Sequence, residues 1–189
     1  MRCTLSLLVP LMILAAPAAG LAQSPKYNVG TPLSQEEIKS FDFMIGPQGQ
    51  QLPEGRGTAK DGAVIFAKRC EVCHGKNGES GVLRRLVLGK PGQPFRGPFK
   101  AEHRDSVADY PYATIAWDYI NRAMPVPKPG TLTPDEVYAL TAFLLYRNGI
   151  VGETDVMDAK SLPKVEMPNR NGFIPAVPVY PPEPKPSWW

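Results

Sequence analysis

The sequence predicts an all-α domain with an irregular N-terminal arm and a Pro-rich C-terminal tail. Ser34 and Thr133 each open a Ser/Thr-x-x-Glu capping box, which marks the N-terminus of a helix. Apolar residues recur at helical spacing over residues 112–123 and again after Thr133. No run alternates apolar and polar residues over a length that would build a sheet. The hydrophobic content of 43% is ordinary for a globular protein, so these helices can share a core.

The ends of the helices are marked by local signals. Pro125 stops the third helix, and Asn148-Gly149 ends the fourth, which has Pro134 at its first position. The second helix contains Gly62, and a glycine inside a helix costs about 1 kcal/mol. We therefore expect another helix to approach closely at Gly62. The predicted helices span residues 35–43, 59–70, 112–123 and about 134–146.

The first 22 residues have the composition of a secretion signal. Arg2 provides a positive start, an apolar run follows, and Gly20-Leu21-Ala22 is the expected cleavage site. An uncleaved membrane anchor is the alternative, but the run is shorter than the ~20 residues that a span needs, and Pro10 interrupts it. We therefore expect a periplasmic protein with no membrane span after cleavage. The predicted segments are the signal 1–22, an arm 23–56, a helical domain 57–150 and a tail 151–189.

The charge of the chain is small. The formal net charge is +3 and falls to +2 when Arg2 leaves with the signal, and no dense run of Lys and Arg is present. A nucleic-acid surface is therefore not expected. Cleavage also removes Cys3, which leaves two cysteines for the exported protein.

Those two cysteines lie in one Cys-x-x-Cys-His run at residues 70–74. The spacing is typical of c-type haem attachment, in which Cys70 and Cys73 bind one haem covalently and His74 ligates its iron. A zinc site would need further ligands, and a thioredoxin-like dithiol would need a βαβ pattern that the sequence lacks. The run therefore predicts one covalent haem c.

Met124 is the best-placed candidate for the second axial ligand. It ends the third predicted helix and precedes Pro125, so the following loop could lay its thioether against the haem. Ligation by Met and His raises the reduction potential and closes the iron to substrates, which suits electron transfer. Three alternatives remain open: Met124 as a packing residue, Met167 as the ligand, or His103 in a bis-His site.

Side chains beyond the ligands are also candidates for haem contact. Trp117 is a haem-side candidate, whereas Tyr119 falls on the apolar stripe of the third helix and is expected in the core. A basic stretch could supply a partner for a haem propionate or steer an acidic protein. It comprises Arg84, Arg85, Lys90, Arg96, Lys100 and Arg104.

These residues together resemble a class I cytochrome c over about residues 57–148. The resemblance rests on Gly62, Phe66, the haem motif, Met124-Pro125 and the helix opened by Thr133-Pro134-Asp135-Glu136. It implies three to five helices around one covalently bound haem, with His74 and Met124 on the iron.

A narrower resemblance covers most of the exported chain. Four segments, which begin at Gly46, Trp117, Leu132 and Met167, resemble the cytochrome c subunit of bacterial sulfite or sulfane dehydrogenases of the Sox sulfur-oxidation type. The resemblance implies a molybdenum-cofactor subunit as the partner that oxidises the sulfur compound, and a cytochrome or oxidase as the downstream acceptor. The Sox subunit commonly carries two haem domains, whereas this chain has one.

Several functions fit this reading. The first is an electron-transfer subunit that makes and breaks no substrate bonds itself. The others are a free-standing carrier for another dehydrogenase, a haem enzyme such as a thiosulfate dehydrogenase, and a binding module with a structural haem. The tail favours a subunit, because pre-extended Pro-rich chain ending in Trp188-Trp189 is suited to binding. We expect the tail and the arm to wrap a partner.

Overall fold

The computed structural model describes residues 27, 29–83, 85–100, 103 and 106–173. The predicted signal peptide, Arg84, Arg104 and the tail beyond residue 173 lie outside the described residues. The helices are α1 Gln35–Phe41, α2 Ala59–Arg69, α3 Glu71–His74, α4 Ala113–Ala123 and α5 Pro134–Arg147. Two short strands, β1 Arg56–Gly57 and β2 Met157–Asp158, pair antiparallel. No helix in these described ranges is long and apolar enough to cross a membrane.

The predicted helix caps are present. The Ser34 and Thr133 side chains each accept a hydrogen bond from the backbone N–H of the glutamate three residues on, and the carboxylate of that glutamate accepts one from the backbone N–H of the cap residue. Thr58 and Asp61 form a third capping box, at the start of α2, which the sequence reading missed because Asp replaces the usual Glu. Each box satisfies N–H groups that have no partner within the helix.

Helices α2 and α5 cross where the sequence has Gly62. A Cβ atom on Gly62 would lie 2.8 Å from Cβ of Phe143 and would also overlap the Ala139 carbonyl. The prediction of a close helix approach at this glycine is therefore confirmed. One turn further along α2, the rings of Phe66 and Phe143 pack with centroids 5.0 Å apart. This crossing forms the centre of the core.

The first part of the predicted tail is not a free extended segment. Residues 157–158 of β2 pair with β1, and Met157, Leu162 and Met167 are buried in the core. Up to residue 173 the tail therefore packs on its own domain, and whether it also contacts a partner stays a prediction. Large apolar side chains gain more from burial in the core than from solvent exposure, whatever the proline content around them.

The arm divides into two parts. Residues 45–57 pack on the domain: Tyr138 donates a hydrogen bond to the Pro53 carbonyl at 2.9 Å, and Asp118 accepts one from the Ile45 backbone N–H at 3.1 Å. By contrast α1 has no buried residue, and the segment around it exposes a series of large apolar side chains. These are Tyr27, Val29, Leu33, Ile38, Phe41, Phe43 and Met44.

Candidate haem site

A cavity of about 670 Å³ lies between the α2–α3 junction and the segment that follows α4. Cys70, Cys73, His74 and Met124 all line it. A second cavity of about 420 Å³ shares His74 and Met124 with the first, so the two are neighbouring lobes of one space. The remaining walls are mainly apolar, and those that both lobes share include Leu83, Leu86, Ile120, Val126 and Leu144.

The end of α2 positions the two thiols and the imidazole. Helix α2 ends at Arg69, and the backbone N–H groups of Cys73 and His74 both donate to the Cys70 carbonyl, at 3.1 and 3.0 Å. This turn brings both thiols and the imidazole to the same wall of the cavity. Both cysteines are free thiols. Burial raises the pKa of the Cys70 thiol to about 11, while Arg69 opposes and Cys73 adds to that increase.

Met124 reaches the cavity because α4 ends there. Its backbone N–H donates to the Ile120 carbonyl at 3.1 Å, while its own backbone is extended, with φ −115° and ψ 149°. The chain therefore leaves the helix at this residue, and the Met124 side chain lines both lobes together with His74. The Met124-Pro125 peptide bond is cis.

The structure places the alternative ligands elsewhere. Met167 is buried in the protein core and lines neither lobe. The Nδ1 atom of His103 accepts a hydrogen bond from the Lys100 backbone N–H at 3.1 Å, and its ring packs edge-on against Phe95. Of the ligand candidates named from the sequence, His74 and Met124 share a cavity.

The two aromatic residues of α4 take the opposite roles to those expected. Trp117 is 1% exposed and packs against Tyr138 of α5, with ring centroids 5.4 Å apart, and it does not line either lobe. Tyr119 is 51% exposed and lines the smaller lobe. The two positions differ by about 200° around a helix, so α4 turns Trp117 towards α5 and leaves Tyr119 at the rim.

The charged residues of the site also differ from the expected ones. Arg69 and Lys128 line the cavity, whereas the described members of the predicted basic stretch do not. One of those members, Arg85, donates its Nε–H to the Glu79 carbonyl at 3.0 Å. The position of Arg69 immediately before Cys70 is the sequence signal that could have identified it.

The comparisons with known proteins agree with this geometry. A family model described as cytochrome c matches residues 59–148, which contain the haem motif and Met124. The chain belongs to the cytochrome c family. A chain in the crystal structure of the sulfane dehydrogenase SoxCD from Paracoccus pantotrophus is 34% identical, with a TM-score of 0.65. The match covers 80% of this cytochrome and 73% of that chain. No curated protein matches the chain.

The expectation of an all-α class I cytochrome c fold is thereby confirmed, and the family implies a covalently bound haem c. The residues present fit that group. The Cys-x-x-Cys-His run supplies two free thiols and an imidazole, and the apolar walls suit a large macrocycle. Cys70 and Cys73 would hold the haem covalently, and His74 and Met124 would be its axial ligands. The protein is therefore an electron-transfer haem protein.

Proposed function

We propose that this cytochrome is the monohaem electron-transfer subunit of a periplasmic sulfite or sulfane dehydrogenase. It accepts electrons from a molybdenum-containing subunit and passes them to a downstream cytochrome or oxidase of the respiratory chain. The observation that supports this role most directly is that His74 and Met124 line one cavity. The similarity to a chain of a sulfane dehydrogenase structure supports the choice of partner.

The side chains of the site account for the role as follows. A bound haem would supply the one-electron redox chemistry. His74 and Met124 would both bind its iron, which would leave no ligand position for a substrate and would raise the reduction potential. The apolar lining formed by residues such as Leu86, Ile120 and Leu144 limits water access, which is a further control on the potential.

A methionine substitution tests the ligand assignment. Met–Fe ligation produces a weak charge-transfer band at the red end of the visible spectrum of ferric cytochromes, and we expect Met124→Ala to abolish it. Met44→Ala is the matched control, because Met44 is exposed and does not line the cavity. A band that survives in Met124→Ala would refute the assignment. Thiosulfate oxidation by the isolated wild-type cytochrome would instead favour the haem-enzyme alternative.

The exposed part of the arm is the proposed contact with the molybdenum subunit. Residues 29–44 form a capped helix and its flanking chain, and all of these residues are exposed. The first half-buried side chain after them is Ile45. An apolar segment of this kind gains most by burial in a partner. We expect deletion of residues 27–44 to abolish co-purification with the molybdenum subunit while the haem spectrum stays unchanged. Unchanged association would refute this contact.

The tail beyond residue 173 needs its own experiment. The prediction that this part binds a partner concerns residues that the structure does not describe, and a truncation after Phe173 tests it separately from the arm. We expect weaker association with the molybdenum subunit. Association as tight as that of the full chain would refute a role for these residues.

Export is also part of the proposal. Cleavage after Ala22 would give a mature chain that begins at Gln23, and haem would be attached outside the cytosol. The intact mass of the holoprotein isolated from the periplasmic fraction tests both statements. A mass that includes residues 1–22 would contradict cleavage, and a haem-loaded protein in the cytosol would contradict export.

A further inference from the structure

We infer that Arg69 is a positioning residue that holds the Met124 loop, residues 125–133, closed over the cavity. The inference rests on the proposed function, because it takes Met124 as the axial ligand. Arg69 is the last residue of α2 and directly precedes Cys70. It therefore joins the wall that carries His74 to the loop that follows Met124.

Arg69 makes two contacts across the cavity rim. Its Nη2 atom donates a hydrogen bond to Oγ1 of Thr131 at 2.7 Å, and its Nη1 atom lies 3.6 Å from Oε1 of Glu136. The guanidinium is planar and carries several donors, so it can bind a hydroxyl and a carboxylate at the same time. One contact reaches the loop, and the other reaches the first turn of α5, where the loop ends.

Two hydrogen bonds within the loop connect Thr131 to the start of the loop beside Met124. Thr131 Oγ1 donates to the Lys128 carbonyl at 2.9 Å, and the Lys128 backbone N–H donates to the Pro125 carbonyl at 2.8 Å. Pro125 is bonded directly to Met124. A chain of hydrogen bonds therefore leads from Arg69 to the residue that follows the ligand.

The loop has little apolar support near Thr131. Residues 126–131 are all exposed in the protein chain, and burial resumes only at Leu132. Val126, Pro127 and Lys128 line the cavity and would contact a bound haem, whereas residues 129–131 do not line it, so polar contacts carry a larger share of what holds that end of the loop in place. Loss of the Arg69 contact should therefore raise the population in which the loop is open and Met124 can be displaced.

An added ligand measures that population. The apparent affinity of ferric iron for exogenous imidazole rises in proportion to the fraction of molecules with an open loop. We expect Arg69→Ala to bind imidazole roughly five- to tenfold more tightly than the wild type, from the worth of one charged, partly exposed hydrogen bond. Loss of the Met charge-transfer band during the titration is the readout. Haem content should remain unchanged.

Further variants separate the positioning role of Arg69 from an effect of its charge. Thr131→Val removes the hydroxyl at an exposed position, so it should reproduce the effect, and the double variant should be less than additive. Arg69→Lys should restore part of the wild-type affinity. Lys68→Ala is the matched control, because it removes the same charge from the neighbouring exposed position.

Each contrary result has a definite meaning. Equal imidazole affinity in Arg69→Ala and Lys68→Ala would overturn the inference. A reduction potential that shifts in Arg69→Ala while Thr131→Val behaves as wild type would also overturn it, since Arg69 would then act on the charge of the cofactor. Absence of the charge-transfer band in the wild type would refute the assignment of Met124 as a ligand. Arg69 would then have no ligand to hold in place.

Discussion

Substitution of Gly62 by alanine tests the helix crossing at the centre of the core. Alanine is the better helix former, so propensity alone would stabilise α2 by about 1 kcal/mol. The added methyl group, however, would lie 2.8 Å from Phe143 Cβ, whereas ordinary van der Waals contact begins at 3.4 Å. It would also overlap the Ala139 carbonyl, which is backbone inside α5 and cannot rotate away.

The overlap should outweigh the gain in propensity. Overpacking of a well-packed core costs typically 1–3 kcal/mol, and the upper end applies because the obstacle is backbone. We therefore expect Gly62→Ala to lower the free energy of unfolding by about 2 kcal/mol, which is roughly 5–10 °C in Tm for a domain of this size.

Guanidinium unfolding of the holoprotein, followed by helical circular dichroism and by haem absorbance, provides the measurement. Ala67→Gly calibrates the propensity contribution, because Ala67 is exposed on the same helix, and it should cost about 1 kcal/mol. A Gly62→Ala protein as stable as the wild type, or more stable, would show that the helices are not in this contact.

Three further substitutions test other contacts of the fold. Tyr138→Phe should cost about 1 kcal/mol at pH 7, because the Pro53 carbonyl loses its donor. Burial raises the pKa of Tyr138 to about 12, so wild-type stability should fall above pH 10, and this slope should be shallower in the variant; equal slopes in urea titrations would contradict the shift. Asn148→Ala should cost roughly 3 kcal/mol, because its buried amide bonds two backbone N–H groups and two carbonyls, and a loss below about 1 kcal/mol would contradict that role. Leu162→Ala should cost 2–5 kcal/mol and the exposed Leu33→Ala within about 0.5 kcal/mol; equal losses in chemical denaturation would show that the tail does not pack on the domain.

The features that sequence reasoning predicted well depend on short stretches of chain. The capping boxes at Ser34 and Thr133 involve residues three positions apart, and the haem motif occupies five consecutive residues. Gly62 was informative because its cost inside a helix requires a compensating contact. In each of these cases the physical cause lies within a few residues, so no knowledge of the rest of the fold is needed.

The features that it missed depend on distant partners. Trp117 and Tyr119 are both apolar-bodied rings on α4, and only the position of α5 decides which of them is buried. Met157, Leu162 and Met167 are five residues apart, which is neither the period of a strand nor that of a helix, so their burial leaves no periodic signal. Arg69 meets Thr131 across 62 positions of chain, and no local pattern announces that contact.

The pairing of β1 with β2 also has a consequence for the order of folding. It joins Arg56 to Asp158 and so closes a loop of about 100 residues, and the entropy of closing such a loop must be overcome before its contacts stabilise it. The haem motif lies inside that loop. We therefore expect this closure to be a late event in folding, so that an emerging polypeptide presents Cys70 and Cys73 to the attachment machinery before the ends of the domain are joined.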